Sequence, residues 1–360
     1  MPLEVADIAD LIAATKPQRT EDRMTELSTD LQKCVAMGEL MRNHKITHSG
    51  GDELEFFIMT TYTDSAENVG LYHVDTPTTG DVLTSGTIPW RATTANMSWD
   101  LQEPALNSSD EVRLLRFADL KRASMRTSLA MRYEKNTWGK PATSADVVTP
   151  YGFDMWATYP AAFTAAGFVG VNPAGFTSGA GSVNSTTYPR WSNYYAQYSA
   201  IEQNDLVDTM CDVFYETNFE SPIPGGNPIP DYSGGIQHAI YSNWTVCKAL
   251  RHLARAQNDD LGADLMPYHL SALFNGVPVT PVPFLDDSKD EYSDLAAYDP
   301  LYFIDWGVMK FEFLSGWDQR ESTKEAPNQH LVVTTHVDSR YNLACRDRRR
   351  LGLITLDTLC

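Results

Sequence analysis

Two sets of charged side chains dominate the chemistry this chain can offer: carboxylates spread along residues 48–104 and arginines gathered near the C-terminus. The first segment holds nine Asp/Glu, among them Glu53, Glu55, Asp64 and Glu67, against one arginine, Arg91, and no lysine. The second is Arg340 with Arg346-Asp347-Arg348-Arg349-Arg350, set in strand-like, apolar-flanked sequence. A guanidinium is a planar fork that matches a carboxylate bidentately. Five arginines in this context read as forks for carboxylates across a subunit boundary, not as a nucleic-acid tail. Catalytic patterns are missing, since no GxSxG, HExxH, GxGxxG or P-loop string occurs and spacing assigns no nucleophile with a base. The chain is read as not an enzyme, with no catalytic, metal-binding or cofactor-binding residue assigned.

Weaker candidates fail on spacing. Counting from Asp286, the acidic run to Glu291 has Glu291 at the sixth position and Ala297 at the twelfth, where a calcium loop needs glycine and glutamate. It reads as a solvated loop. His238, His252 and His269 fall on different elements, so nothing joins them into a metal site. Asp205, Asp208 and Asp212 share one helical face, which suits a wet surface as well as a chelate. Five cysteines (34, 211, 247, 345, 360), with no CxxC pair, give neither a disulfide framework nor a zinc site and fit a reducing compartment. Asn96, Asn107, Asn184 and Asn243 match the glycosylation acceptor pattern, which matters only after secretion. Met1 to Thr15 lacks the basic start of a secretory signal.

The elements that must position these groups follow from pattern. Leu54 to Met59 and Gly70 to Val74 are strand-like runs between Asp/Gly/Asn/Pro punctuation, and Thr87 to Trp99 continues in Thr, Trp and β-branched residues. A two- or three-stranded arm is only marginally stable alone, so the segment needs a platform, and another copy of the chain is the obvious one. Asn107-Ser108-Ser109-Asp110-Glu111 then caps a helix that meets no glycine or proline before Gly139, a span of about 28 residues and about 40 Å. Leu114, Phe117, Ala118, Met125 and Leu129 share one arc of it; Arg116, Asp119, Arg122 and Arg126 share another. The basic arc is either a solvated face or the platform on which a neighbour's acidic arm lies, and charge complementarity would set that register.

Residues 1–47 read as helical, with Met24, Leu27, Leu31, Val35 and Leu40 on one face. Between Pro160 and Pro173 lie only 12 residues, well short of the ~20 that span a bilayer. Ala174 to Ser182 reads as a flexible glycine-rich surface loop, Pro189 to Phe219 as helical, and Ser221 to Gly226 as a hinge. A strand at Gln237 to Tyr241, a helix from Asn243 to about Ala256, and an edge strand or connector at Val277 to Pro283 follow. Runs at 301–304, 308–314, 331–337 and 351–356 read as one closing antiparallel sheet. The fold class is α+β. At 360 residues the length suits about two domains, and a net charge of −19 argues against a polyanion-binding protein.

Arg19-Thr20-Glu21-Asp22, Ile88-Pro89-Trp90-Arg91, Tyr188-Pro189-Arg190-Trp191-Ser192-Asn193 and Asn342-Leu343-Ala344-Cys345-Arg346-Asp347-Arg348-Arg349 occur in that order. With the succession of helical N-arm, acidic β arm, capped long helix, α+β insertion and returning strands, the whole chain resembles the major capsid proteins of tailed bacteriophages, the Hong Kong 97-type shell fold. The resemblance implies an N-arm (1–47), an extended loop (48–106), a peripheral domain built on the long spine helix (107–230 with 326–360) and an axial domain (231–325). It implies a virion subunit, assembled in the host cytoplasm, that forms hexamers and pentamers of an icosahedral shell enclosing double-stranded DNA without specific binding. Portal, scaffolding and cement or decoration proteins are the implied partners; no membrane and no cofactor is. Inter-subunit contacts are expected from Arg91, Arg116, Arg122, Arg126, Arg346, Arg348 and Arg349, opposite Glu53, Glu55, Asp64 and Glu67. The archetype's crosslinking lysine in the extended loop has no counterpart here, so that chemistry does not carry over. The sequence before residue 48 also leaves no room for a long scaffolding segment, which implies a separate scaffold or a mature form. Alternatives are an encapsulin-like nanocompartment shell and, from another class, a soluble acidic hydrolase using a carboxylate pair.

Overall fold

The computed structural model describes residues 32–63, 66–74, 80, 82–100, 102, 111–160, 166–169, 171–219, 236–257, 272–286, 295–325 and 331–357, with the backbone alone at 111–118, 255–257, 296 and 325. The strands in chain order begin with β1 (Lys45–His48), β2 (Glu53–Met59), β3 (Leu83–Pro89), β4 (Arg91–Asp100) and β5 (Gly167–Val169). Next come β6 (Asn193–Tyr198), β7 (His238–Ser242), β8 (Ala272–Phe274), β9 (Val277–Pro281) and β10 (Leu301–Asp305). Last are β11 (Met309–Leu314), β12 (Arg320–Glu325), β13 (Val332–Cys345) and β14 (Gly352–Leu356).

One sheet grows around β13. Along one edge it pairs antiparallel with β4 from Val332↔Asp100 to Tyr341↔Arg91. Its other edge is shared between β12 and β11, and β11 takes β1 in parallel. A seven-stranded mixed sheet runs β5-β6-β14-β10-β7-β9-β8. Every residue of β10 is buried, as befits a central strand covered on both faces. β2 and β3 form a separate two-stranded hairpin.

The long helix spans Glu111–Trp138, 28 residues, as its uninterrupted sequence predicts. Its expected cap at 107–110 lies outside the described residues. Met125, Leu129 and Tyr133, four apart, turn inward, while Asp119 and Arg126 are exposed. The larger core joins this helix, the β13 sheet and the hairpin root through Trp138, Trp156, Trp191, Trp306, Phe153 and Tyr302. A second core packs the helices at Asp208–Glu216 and Trp244–Gln257 on the seven-stranded sheet.

Several expectations are corrected. Gly70 to Val74 is not a strand: the chain turns at Leu71 and Tyr72, the latter at φ 67°. The span Thr87 to Trp99 is split between the hairpin and the body, because β4 leaves the arm to pair with β13. Pro189 to Phe219 opens with strand β6 before its helix. β9 is not an edge strand. β8 covers it through the two-residue Asn275-Gly276 turn (φ 47° and 81°), and its register with β7 starts at Val279, just past Pro278. The four C-terminal runs do not make one sheet: β10 and β14 lie in the seven-stranded sheet, β11 and β13 in the other. β6 and β14 join β7 to β10, whereas β11 and β12 join β13, since partners far apart in sequence decide where a strand sits.

Candidate assembly surface

The arm is an acidic hairpin with two unlike faces. Strand alternation turns Leu54 and Phe56 inward with Ile88, and turns Glu53, Glu55, Phe57 and Met59 outward. The inner face rests on its own chain. Phe56 meets Trp191 with ring centroids 5.9 Å apart, and the Arg346 guanidinium lies 5.2 Å from the Phe56 ring centre. Thr87 donates its backbone N–H to Gly181 O at 3.0 Å, and Thr84 Oγ1 donates to Tyr188 Oη at 3.0 Å.

This platform is the stretch expected to be a flexible loop. Phe176, Ala180 and Val183 are buried in it, and its turns are tight. Gly179 sits at φ 86°, where a Cβ would stand 1.9 Å from Val183 O. Facing it, Gly86 of β3 lets the two backbones meet; a Cβ there would fall 2.4 Å from Phe56 Cζ and 2.8 Å from Gly181 O. Glycine within a strand commonly marks such an approach, so this contact had a sequence signal.

Beyond the root the hairpin is uncovered. Leu71 is 94% exposed and Tyr72 99%, with Tyr62, Val69 and Val74 exposed alongside them. Glu67 pairs with His73 at 2.8 Å near the tip; Asp64 lies outside the described residues. Single exposed apolar residues are ordinary, but a run of them on one projecting element marks a contact surface.

The arginines expected to reach across a boundary are bonded within the chain. Arg348 is fully buried and donates to Trp156 O, Ser185 Oγ, Trp191 O, Thr158 Oγ1 and Asn193 Oδ1 at 2.7–3.1 Å. It is therefore no surface contact, and burial lowers its pKa to about 10, which leaves it charged at neutral pH. Arg346 pairs with the buried Glu312 at 2.5 Å, and Glu312 also meets His48 at 3.1 Å. Arg349 forks onto Asp347 at 3.0 and 2.7 Å and covers the Phe219 ring. Arg350 pairs with Asp305 at 3.2 Å, and Arg91 donates to Val147 O and Asp146 O. These guanidinium groups find acceptors within the chain, and the buried ones, Arg348 and Arg350, must do so.

On the long helix, Arg122 binds Glu321 of β12 at 2.8 Å, Arg126 is exposed, and the side chain of Arg116 lies outside the described set. Asp205 accepts the Ser199 and Ala200 N–H groups, and Asp286 accepts that of Trp244 at the start of a helix, so both acids cap backbone. No cluster of three metal-ligating side chains occurs among the described residues.

The sequence matches no protein-family model and no curated protein. In structure the chain is similar to the subunit of the cyanophage A-1(L) capsid, with TM-score 0.58 and 12% identity over 95% of this chain and 98% of that one. It is similar to the capsid of an empty GTA particle, at TM-score 0.52 and 14% identity over 99% and 100% of the two chains. The capsid of cyanophage P-SCSP1u follows the same path at TM-score 0.50 and 12% identity, covering 93% of each. The chain has the α+β fold of phage major capsid proteins.

Proposed function

We propose that this chain is the structural subunit of an icosahedral phage-type head, working by self-assembly and not by catalysis. The observation that carries the reading is the arm: its root is seated on its own chain, while its apolar tip projects uncovered. A second copy is the occupant this surface fits, because every copy brings both a projecting tip and a body to receive one. The full-length likeness to capsid subunits supports the same assignment.

The long helix and the β13 sheet serve as the peripheral part, the seven-stranded sheet with its two helices as the axial part, and residues 49–90 as the extended loop. Hexamers and pentamers then form as axial parts meet around local symmetry axes. Glu53 and Glu55, on the outward face of β2, are the carboxylates placed to meet a neighbour's basic helix at Arg116 and Arg126. Net charge of −19 suits a wall that does not adhere to the enclosed DNA. Portal, scaffolding and cement proteins complete the particle in the host cytoplasm.

Negative-stain imaging of the purified full-length protein tests the reading. Closed shells are expected, and replacing Leu71, Tyr72 and Val74 by serine is expected to leave folded subunits that do not close. A protein that stays monomeric at high concentration overturns it. The contents of the shells, nucleic acid or protein cargo, separate a virus head from a nanocompartment. Tight binding of duplex DNA at physiological salt would contradict the non-adhesive wall.

A further inference from the structure

Glu134, near the C-terminal end of the long helix, is fully buried, and no ion pair reaches it among the described residues. Its carboxyl oxygens work in two directions. Oε2 accepts the Ala36 backbone N–H at 2.6 Å, and Oε1 accepts the Trp138 indole N–H at 2.9 Å. The Val35 and Met37 N–H groups lie on the same side and favour the charged form of this carboxyl. These backbone donors open the helical turn Ala36–Leu40, and Val35 supplies no side-chain cap of its own. The first donors of a helix have no partner within it, so the long helix caps this N-terminal segment from outside. Ala36 and Leu40 are buried, and Cys34 Sγ lies 4.0 Å from Met131 Sδ of the long helix.

Among the described residues no cation pairs with this carboxyl or shifts its titration. On the segment itself, Glu39 and Lys33 pair with each other on the exposed side. From the seven-stranded sheet, Tyr241 and Tyr302 pack on the Trp138 ring, and burial pushes the Tyr241 phenol pKa up. Asp154, in the single turn at 153–156, accepts the Tyr302 hydroxyl at 2.5 Å. The turn at 283–285 brings only Phe284 and Leu285, neither titratable.

We propose that Glu134 is a proton-operated fastening, which holds residues 35–43 on the long helix when neutral and lets that segment lift when ionised. The neutral acid can still meet both donors, because its carbonyl oxygen accepts and its hydroxyl oxygen keeps a lone pair. Ionised, it is a buried charge without a counterion, which favours an undocked, hydrated carboxylate. Desolvation accordingly raises its pKa from 4.5 to about 7. A carboxyl whose docked pKa exceeds its undocked one contributes docking strength fully below about 4.5 and loses it as pH rises through 7.

Hydrogen exchange on the full-length protein, corrected for intrinsic rates, tests this at residues 33–43. Protection is expected to fall by about tenfold between pH 6 and pH 8 in the wild type. The neutral isostere Glu134→Gln is expected to show no such fall. A flat wild-type profile, or the same fall in Glu134→Gln, overturns the proposal. Should Glu134→Gln not fold, alkylation of Cys34 in the wild type, normalised to the unfolded chain, decides: a rise of about tenfold over the same interval supports the fastening, and a flat rate ends it. The fastening does not depend on shell formation and operates equally in a chain that does not assemble.

Discussion

Arg348 carries a full positive charge in the interior, and among the described residues its hydrogen bonds go to neutral acceptors alone. Two main-chain carbonyls, two hydroxyls and one amide oxygen surround the guanidinium and tie the 156–158 turn, the 185–193 platform and the end of β13 together. Removing it strands all five. Arg348→Ala is expected to lower subunit stability by several kcal/mol, since each buried acceptor left unsatisfied costs about 1–3 kcal/mol. Arg348→Lys is expected to rescue little, because an ammonium has three donors at one point instead of a planar fork. Urea unfolding of dissociated subunits measures both. If the lysine variant matched the wild type within about 0.5 kcal/mol, the fork geometry would not matter and the staple reading would fail. The sequence announced this residue through its unusual arginine run, yet could not say whether the partners were internal. An arginine string reads the same whether its acceptors are backbone oxygens nearby or carboxylates on another copy.

At the scale of elements, the arm is aimed by its socket. Gly86 against Gly181, with Phe56 between Trp191 and Arg346, fixes where the hairpin leaves the body. Gly86→Ala inserts a methyl into occupied space and is expected to cost about 1–3 kcal/mol locally. Faster hydrogen exchange across 53–59 and 83–89 should report it, with exchange in β10 and β14 unchanged; equal protection in the hairpin would show that the close approach does not position the arm. The hairpin strand β2, the long helix and the helix at 244–257 were legible because each is a local pattern: alternation, an uninterrupted apolar arc, a cap. Gly86 inside β3 and Asn275-Gly276 are likewise local signals, of a close approach and of a tight turn. Sheet membership was not legible at all. β11 and β10 lie a few residues apart and enter different sheets, a choice made by Asn342, Tyr341 and their register partners far along the chain. The glycine-rich platform misled for a related reason: its composition matches a linker, whereas contacts far along the chain, from Tyr151, Trp191 and the hairpin, bury it.

For the whole molecule, the acidic arm and basic helix give assembly an electrostatic component that can be turned around. Arg122 is already committed to Glu321, a half-exposed pair worth at most about 1 kcal/mol, so Arg122→Ala should leave assembly close to normal. Arg116 and Arg126 carry the intermolecular share. Reversing both to glutamate is expected to block shell closure while leaving a folded subunit, seen as an unchanged circular dichroism spectrum with no particles in negative stain. Reversing Glu53 and Glu55 to lysine alone should also block closure, since an arm of altered sign no longer suits an unaltered helix. Combining the two reversals restores opposite signs, so particles should return in the quadruple variant. Because exposed charges more than about 10 Å apart are screened at 0.1 M salt, the rate of assembly should also fall as salt rises. Shells formed normally by the Arg116/Arg126 double reversal, or a quadruple variant as defective as its parents, would remove charge pairing from the mechanism and leave the apolar tip to direct assembly alone.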